Sequence, residues 1–252
     1  MIYFVSDIHL GGGSAEQQRR TEEAFCRWLD MIAPDVTSLY LLGDIFDFWF
    51  EYHRVVPAGF VRVLSRLSEF SRRGVEVVLY TGNHDMWCYD YLTRECGIRI
   101  ERNPRVEHIG GRVVHLAHGD NMNVKGQPML RLMNLFFRSS VARCLFSWLV
   151  HPDLALKFGC WWSGKSRKSH GAVALSLAHL TPLKEYASEH KLSHTNVEAY
   201  IFGHMHIPHH EKMEEYEMFF LSDWSAEEAV YVVMDSDNML SLKTFAIDET
   251  IS

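Results

Sequence analysis

Short apolar runs at residues 2–5, 38–42 and 75–80 each give way to a glycine- or carboxylate-bearing loop, and the first two lead into stretches with helical apolar spacing, Ala15–Ile32 and Ala58–Arg72. A strand, a loop and a helix in repetition leave few folds open, because parallel strands need a crossover connection and helices are the usual one. The spacing therefore predicts an α/β fold. Past residue 98 the texture changes to strand-like runs at Arg105–Ile109 and Arg112–Ala117, with Gly110-Gly111 as the hairpin turn between them. Further strands are expected at Ala199–Phe202, Met218–Leu221, Ala229–Met234 and Leu240–Phe245.

The chain's 252 residues suit one domain, 1–252. Its 47% apolar and 23% charged residues exclude disordered, collagen-like and coiled-coil classes. Five cysteines without a C-x-x-C pair read as reduced thiols, which argues against zinc ribbons and disulfide scaffolds and for a reducing compartment. Residues 1–6 have no signal-peptide pattern and no apolar run reaches membrane-spanning length, so the expected location is the cytoplasm. The net charge of −7 weighs against a nucleic-acid-binding protein, but it is unevenly spread. Residues 121–170 carry eight Lys and Arg against one acid, Asp153, among apolar residues at helical spacing, and are expected to form a helical insertion.

Asp7, Asp44 and Asn83 fall just past the carboxyl ends of three successive expected strands, the edge at which open α/β sheets place ligands. His118 follows the run Val113–Ala117, and His204 and His206 follow Phe202. With His9, seven oxygen and nitrogen donors would converge. Carboxylate, amide and imidazole without thiolate suit Mn²⁺, Fe²⁺, Zn²⁺ or Co²⁺. Seven donors exceed one ion's needs, whereas two ions sharing a bridging carboxylate would use them and perform in-line displacement at phosphorus. Asp47, Trp49 and Glu51 either line this site or pack its loops, and the remaining histidines read as surface or supporting groups.

The ordered blocks Asp7-x-His9, Gly43-Asp44, Gly82-Asn83-His84-Asp85, His118-Gly119-Asp120 and Gly203-His204-x-His206 resemble those of the calcineurin-like metallophosphoesterases. The resemblance implies a four-layer sandwich of two mixed β-sheets flanked by helices. It also implies one metal on Asp7, His9 and His206, a second on Asn83, His118 and His204, and Asp44 as the bridge. His84 would act on the phosphate as acid or hydrogen-bond donor, oriented by Asp85.

More closely, Gly43-Asp44-Ile-Phe-Asp-Phe-Trp49 and the helical segment ending Trp161-Trp-Ser-Gly-Lys-Ser-Arg-Lys-Ser169 look like the UDP-2,3-diacylglucosamine hydrolases of lipid A biosynthesis. That likeness implies two Mn²⁺ ions, water attack on a pyrophosphate, and an amphiphilic nucleotide-lipid substrate met at the inner face of the cytoplasmic membrane. The insertion would then be a lid. Asn83 and His84 would contact substrate, with Lys165, Arg167 and Lys168 meeting its phosphates or sugar. His84 stands where many of those hydrolases carry Arg, so a soluble phosphodiesterase or phosphatase acting on nucleotides or nucleic acid stays open as the alternative.

Overall fold

The structure is a computed structural model that describes residues 1–52, 54–120, 122, 139–171 and 176–248. The first half alternates as expected: β1 (Ile2–Val5), α1 (Ala15–Ile32), β2 (Ser38–Leu42), α2 (Val61–Arg72), β3 (Glu76–Tyr80), α3 (Tyr91–Cys96) and β4 (Arg99–Glu101). The second half holds β5 (Arg105–Ile109), β6 (Arg112–Ala117), α4 (Ser140–Leu149), α5 (Pro152–Gly171), α6 (Thr181–Ser193), β7 (Ala199–Phe202), β8 (His209–Lys212), β9 (Glu217–Phe220), β10 (Glu228–Met234) and β11 (Leu240–Ala246). α1 begins where Ser14 caps it, its side chain accepting from Gln17 N while Gln17 reciprocates to the Ser14 N–H. α2 starts three residues later than its periodicity suggests, because Gly59 and Phe60 both take left-handed backbone angles that a helix interior excludes.

Two mixed sheets form, with strand orders β11-β10-β1-β2-β3-β4 and β5-β6-β7-β9-β8. Alternation along each strand sorts the core into layers. Phe4, Tyr40, Leu42, Val78 and Tyr80 face the second sheet's Val114, Leu116, Ile201 and Phe219. Their neighbours Val5, Leu39, Leu41, Val77 and Leu79 pack instead against Phe25, Trp28 and Leu29 of α1 and Leu67 of α2. On the far side of the second sheet Tyr200, Phe202 and Phe220 meet Leu183 and Ala187 of α6. Helix, sheet, sheet and helix make four layers, and both sheets turn the carboxyl ends of their parallel strands to one edge.

Within the expected insertion, α4 and α5 form a helical pair whose inner face is seated on that edge. Phe146 packs against Phe50 and Trp87, with ring centroids 5.2 Å from each, and the Tyr52 hydroxyl donates to the Val150 carbonyl at 2.9 Å. Residues 121, 123–138 and 172–175 lie outside the described residues, as do His53 and the side chains of Trp162, Lys165, Arg167 and Lys168.

Candidate metal centre and active site

The loops that leave β1 and β2 stay hydrogen-bonded after the strands end. Asp7 N donates to Gly43 O (3.1 Å), His9 N to Asp44 O (3.0 Å), Leu10 N to Ile45 O (2.9 Å) and Asp47 N to Leu10 O (2.9 Å). In the second sheet Gly203 N donates to His118 O at 3.0 Å. These bonds fix the loop backbones where strand pairing no longer does. Asp7, His9, Asp44, His204 and His206 all have φ between 51° and 69°. Non-glycine residues in that region are held by their surroundings at about 1–3 kcal/mol each, and such outliers cluster at functional sites.

The side chains converge as the sequence suggests. Donor atoms of Asp7, His9 and His206 lie within 4.8 Å of one another, and so do those of Asp44, His118 and His204. A third group, His9, Asp44 and His84, joins the two. His206 Nε2 is 3.1 Å from Asp7 Oδ1 and 3.4 Å from His9 Nε2. His118 Nε2 is 3.3 Å from Asp44 Oδ2 and 3.2 Å from Asn83 Oδ1. A divalent pair fits this donor set, because the second nitrogens of His118, His9 and His206 are turned toward oxygens, that of His118 within hydrogen-bond distance, which leaves the other nitrogens to ligate. His118 Nδ1–H donates to the Leu42 carbonyl at 2.9 Å, His9 Nδ1 faces Asp47 Oδ1 at 3.7 Å, and His206 Nδ1 faces Asp223 Oδ2 at 3.8 Å.

Burial disfavours every charge here, so the pKa directions show which contacts overcome it. Burial pushes His9 down to about 3 and His204 down to about 4, leaving both neutral with lone pairs available. Asp7 is fully buried, yet the adjacent His206 outweighs burial and holds it at about 2. Burial is likewise outweighed at Asp44, where His118 and then His84 hold the carboxyl well below its usual range. Against the same burial, Asp7 raises His206 to about 9 and Asp44 raises His118 well above the ordinary histidine value. Coordination needs both rings neutral, so metal uptake at pH 7 should release protons and tighten as pH rises. His206's raised pKa stabilises the metal-free fold fully below pH 6.5 and loses that effect as pH climbs through about 9. The gap between metal-loaded and chelator-treated melting temperatures should therefore widen from pH 6.5 to 9, and a constant gap would show that His206 is not held charged.

A cleft of about 520 Å³ opens over these residues, running from Asn83 and His84 past Gly12, Gly13 and Thr21 to Ser225. His84 is the residue whose ring edges it opposite Asp44, with Nε2 3.9 Å from Asp44 Oδ2. Asp85 does not orient that ring. Its oxygens accept from Gly82 N and Ile45 N, both at 2.8 Å, so it ties the Asn83 loop to the Asp44 loop, while burial and then Asp44 push its pKa up to about 6. The ring is aligned by the Asp47 carbonyl, 2.8 Å from Nδ1.

The Asp47-x-Trp49-x-Glu51 run divides by role. Asp47 supports His9 and His84, whereas Trp49 packs on Phe46, Phe60 and Tyr91. Buried Glu51 accepts from Trp49 Nε1 at 3.0 Å and from the backbone N–H groups of Tyr89, Asp90 and Tyr91, anchoring the start of α3. Two site residues escaped the sequence reading. Asp223 follows β9, which runs parallel to β7, so the strand-end argument that found His204 could have found it. Ser163 lies inside a helix and gave no local signal.

The comparisons agree with this geometry. Residues 1–208 match the calcineurin-like phosphoesterase family model. A UDP-2,3-diacylglucosamine hydrolase of Porphyromonas gingivalis is 34% identical, covering 95% of this chain and 95% of its own. Enzymes of the same name from Edwardsiella ictaluri (26% identical; 84% of this chain, 79% of its own) and Stutzerimonas stutzeri (29%; 82% and 82%) are more distant. The match runs through every donor block from Asp7 to His206, and the chain belongs to the calcineurin-like phosphoesterase family of metal-dependent hydrolases.

Proposed function

We propose that the protein hydrolyses UDP-2,3-diacylglucosamine to UMP and 2,3-diacylglucosamine 1-phosphate, using two Mn²⁺ ions held by Asp7, His9 and His206 and by Asn83, His118 and His204, with Asp44 shared. The observation that carries the reading is the pair of donor clusters, joined through Asp44 and open to a cleft, on the same strand edge on which a helical pair with an apolar outer surface is seated. The near full-length likeness to the P. gingivalis enzyme supports the substrate.

Metal ions bound there would supply Lewis acidity toward the phosphoryl oxygens and lower the pKa of an attacking water. The chain's own residues do the rest. His84, with Nδ1–H on the Asp47 carbonyl, keeps Nε2 for a proton exchanged with a phosphoryl or leaving oxygen. Asp85 holds the Asn83 and Asp44 loops together while charge builds on phosphorus. Lys165, Arg167 and Lys168 are proposed to pair with the substrate's phosphates.

α4 and α5 are proposed as the lid over the acyl chains and as a peripheral contact with the inner face of the cytoplasmic membrane. Val141, Leu145, Trp148, Leu149 and Leu154 are exposed on the outer side, Trp148 and Leu149 by 79% and 80%. Among the described residues no helix is long and apolar enough to cross a membrane, so attachment would be interfacial. Changing Trp148 and Leu149 together to Ser should weaken sedimentation with anionic vesicles by at least about 100-fold, at about 1.5–3 kcal/mol per buried side chain. Undiminished sedimentation would remove the membrane contact from the proposal.

The test of the function is Mn²⁺-dependent UMP release from UDP-2,3-diacylglucosamine, compared with a short-acyl analogue. Release that needs metal and falls by at least tenfold for the short analogue, about two buried CH₂ groups' worth, upholds the reading. Hydrolysis of aryl phosphodiesters or nucleotides alone would move the chain to the soluble phosphodiesterase alternative.

A further inference from the structure

α5 approaches the metal edge on its smallest side chains. Ala155, Gly159 and Ser163 recur at every fourth residue, one above another on a single helical face. Ala155 and Ser163 are 0% and 1% exposed, and a Cβ at Gly159 would run into the Phe48 ring. The face is thus cut to fit the loop Phe46–Trp49 closely. At its end the Ser163 hydroxyl donates to the Asp47 carbonyl at 2.5 Å, and its oxygen lies in hydrogen-bond contact with His84 Nδ1. That carbonyl also receives the His84 ring at 2.8 Å. One polar side chain of the helical pair therefore reaches, through a buried seam, the back of the imidazole whose other nitrogen faces Asp44.

We propose that Ser163 is the positioning residue for His84, so that seating of α5 on the Phe46–Trp49 loop and alignment of the reactive imidazole are one event. The inference rests on the hydrolytic role given to His84 above. Its physical basis is that Nδ1–H meets two oxygens, the Asp47 carbonyl and Ser163 Oγ, while the Ser163 proton occupies the same carbonyl. The ring is then fixed in rotation as well as in tautomer. A ring held by the carbonyl alone can swing about that single bond, and Nε2 loses its aim. Amphiphiles that press α5 onto the loop would thereby set the imidazole, whereas a small soluble ester would find it set only as often as the helix is seated by itself.

The test is a double-mutant cycle with an aryl phosphodiester, which reports the dimetal chemistry even if the lipid substrate is wrongly assigned. Ser163→Ala should lower kcat about tenfold, with KM within about twofold, as a fraction of the roughly 100-fold expected for His84→Ala. In the His84→Ala background the same change should have less than about a twofold effect. Ser163→Cys fills the space with a weak donor and should behave like Ser163→Ala. An undiminished Ser163→Ala effect without His84, or full activity in Ser163→Cys, would overturn the proposal. A second measurement needs no turnover. In ¹⁵N-histidine spectra of the Mg²⁺-treated protein, Ser163→Ala should move the His84 Nδ1 resonance and speed exchange of its proton, and an unmoved signal would overturn it equally. Unaltered melting temperatures in both variants are expected and would confirm that the kinetic loss is not one of folding.

Discussion

Asp44→Asn should deprive the protein of both metal positions together and lower phosphodiester turnover by roughly 10³-fold, since several kcal/mol of charge stabilisation depend on the ions and each 1.36 kcal/mol is tenfold in rate. Asp44 belongs to the donor group with His118 and His204 and to the one with His9 and His84. The amide keeps an oxygen able to accept the His84 N–H, now 2.9 Å from Oδ1, so the loop should hold its shape. What disappears is a negative charge kept ionised by His118 and His84 despite complete burial. Calorimetric titration with Mn²⁺ decides the matter. Loss of both binding events is expected, and one event surviving at wild-type affinity would show that Asp44 serves a single ion.

Gly82→Ala should destabilise the protein by about 3 kcal/mol, the upper end of ordinary overpacking costs, or roughly 6–12 °C in melting temperature for a chain of this size. A methyl group at Gly82 would overlap Asp44 Oδ1 and stand 2.7 Å from Asp44 N. Neither can withdraw. Asp44 is 2% exposed, its φ of 52° is already in the left-handed region, and its loop is bonded to those of β1 and β3. The change should also weaken metal affinity, because relief of the overlap moves the shared carboxylate. A melting temperature within about 2 °C of wild type, on the same size scaling, would mean that the two loops are far less tightly packed than this.

Much of this was legible in the sequence because periodicity and strand-end chemistry are local. The runs at Ile2–Val5, Ser38–Leu42 and Arg112–Ala117 became strands at those bounds. The donors just beyond the strands fell together because parallel strands deliver their ends to one edge. Less legible was anything decided by tertiary contact. β4 and β8 are short edge strands whose pairing with β3 and β9 defines them more than their composition does. Asp85 has the look of a catalytic partner for His84 by adjacency, yet adjacent residues on a turn point apart, and its oxygens were taken by amides of two loops. Ser163 stands among serines, and only the fit of Gly159 against Phe48 singles it out.

Two of the three donor groups draw on both sheets. Asp7 and His9 follow a strand of the first and His206 one of the second, and Asp44 likewise faces His118 and His204 across the divide. Elsewhere the layers are held mainly by apolar faces such as Phe4 on Ile201 and Phe219, a contact without direction. Ions at these positions would rivet the two sheets at one rim and close chain loops nearly as long as the domain itself, where a cross-link constrains the unfolded ensemble most. Chelation should accordingly do more than silence the enzyme. It should turn a book bound along its spine into one whose halves can part.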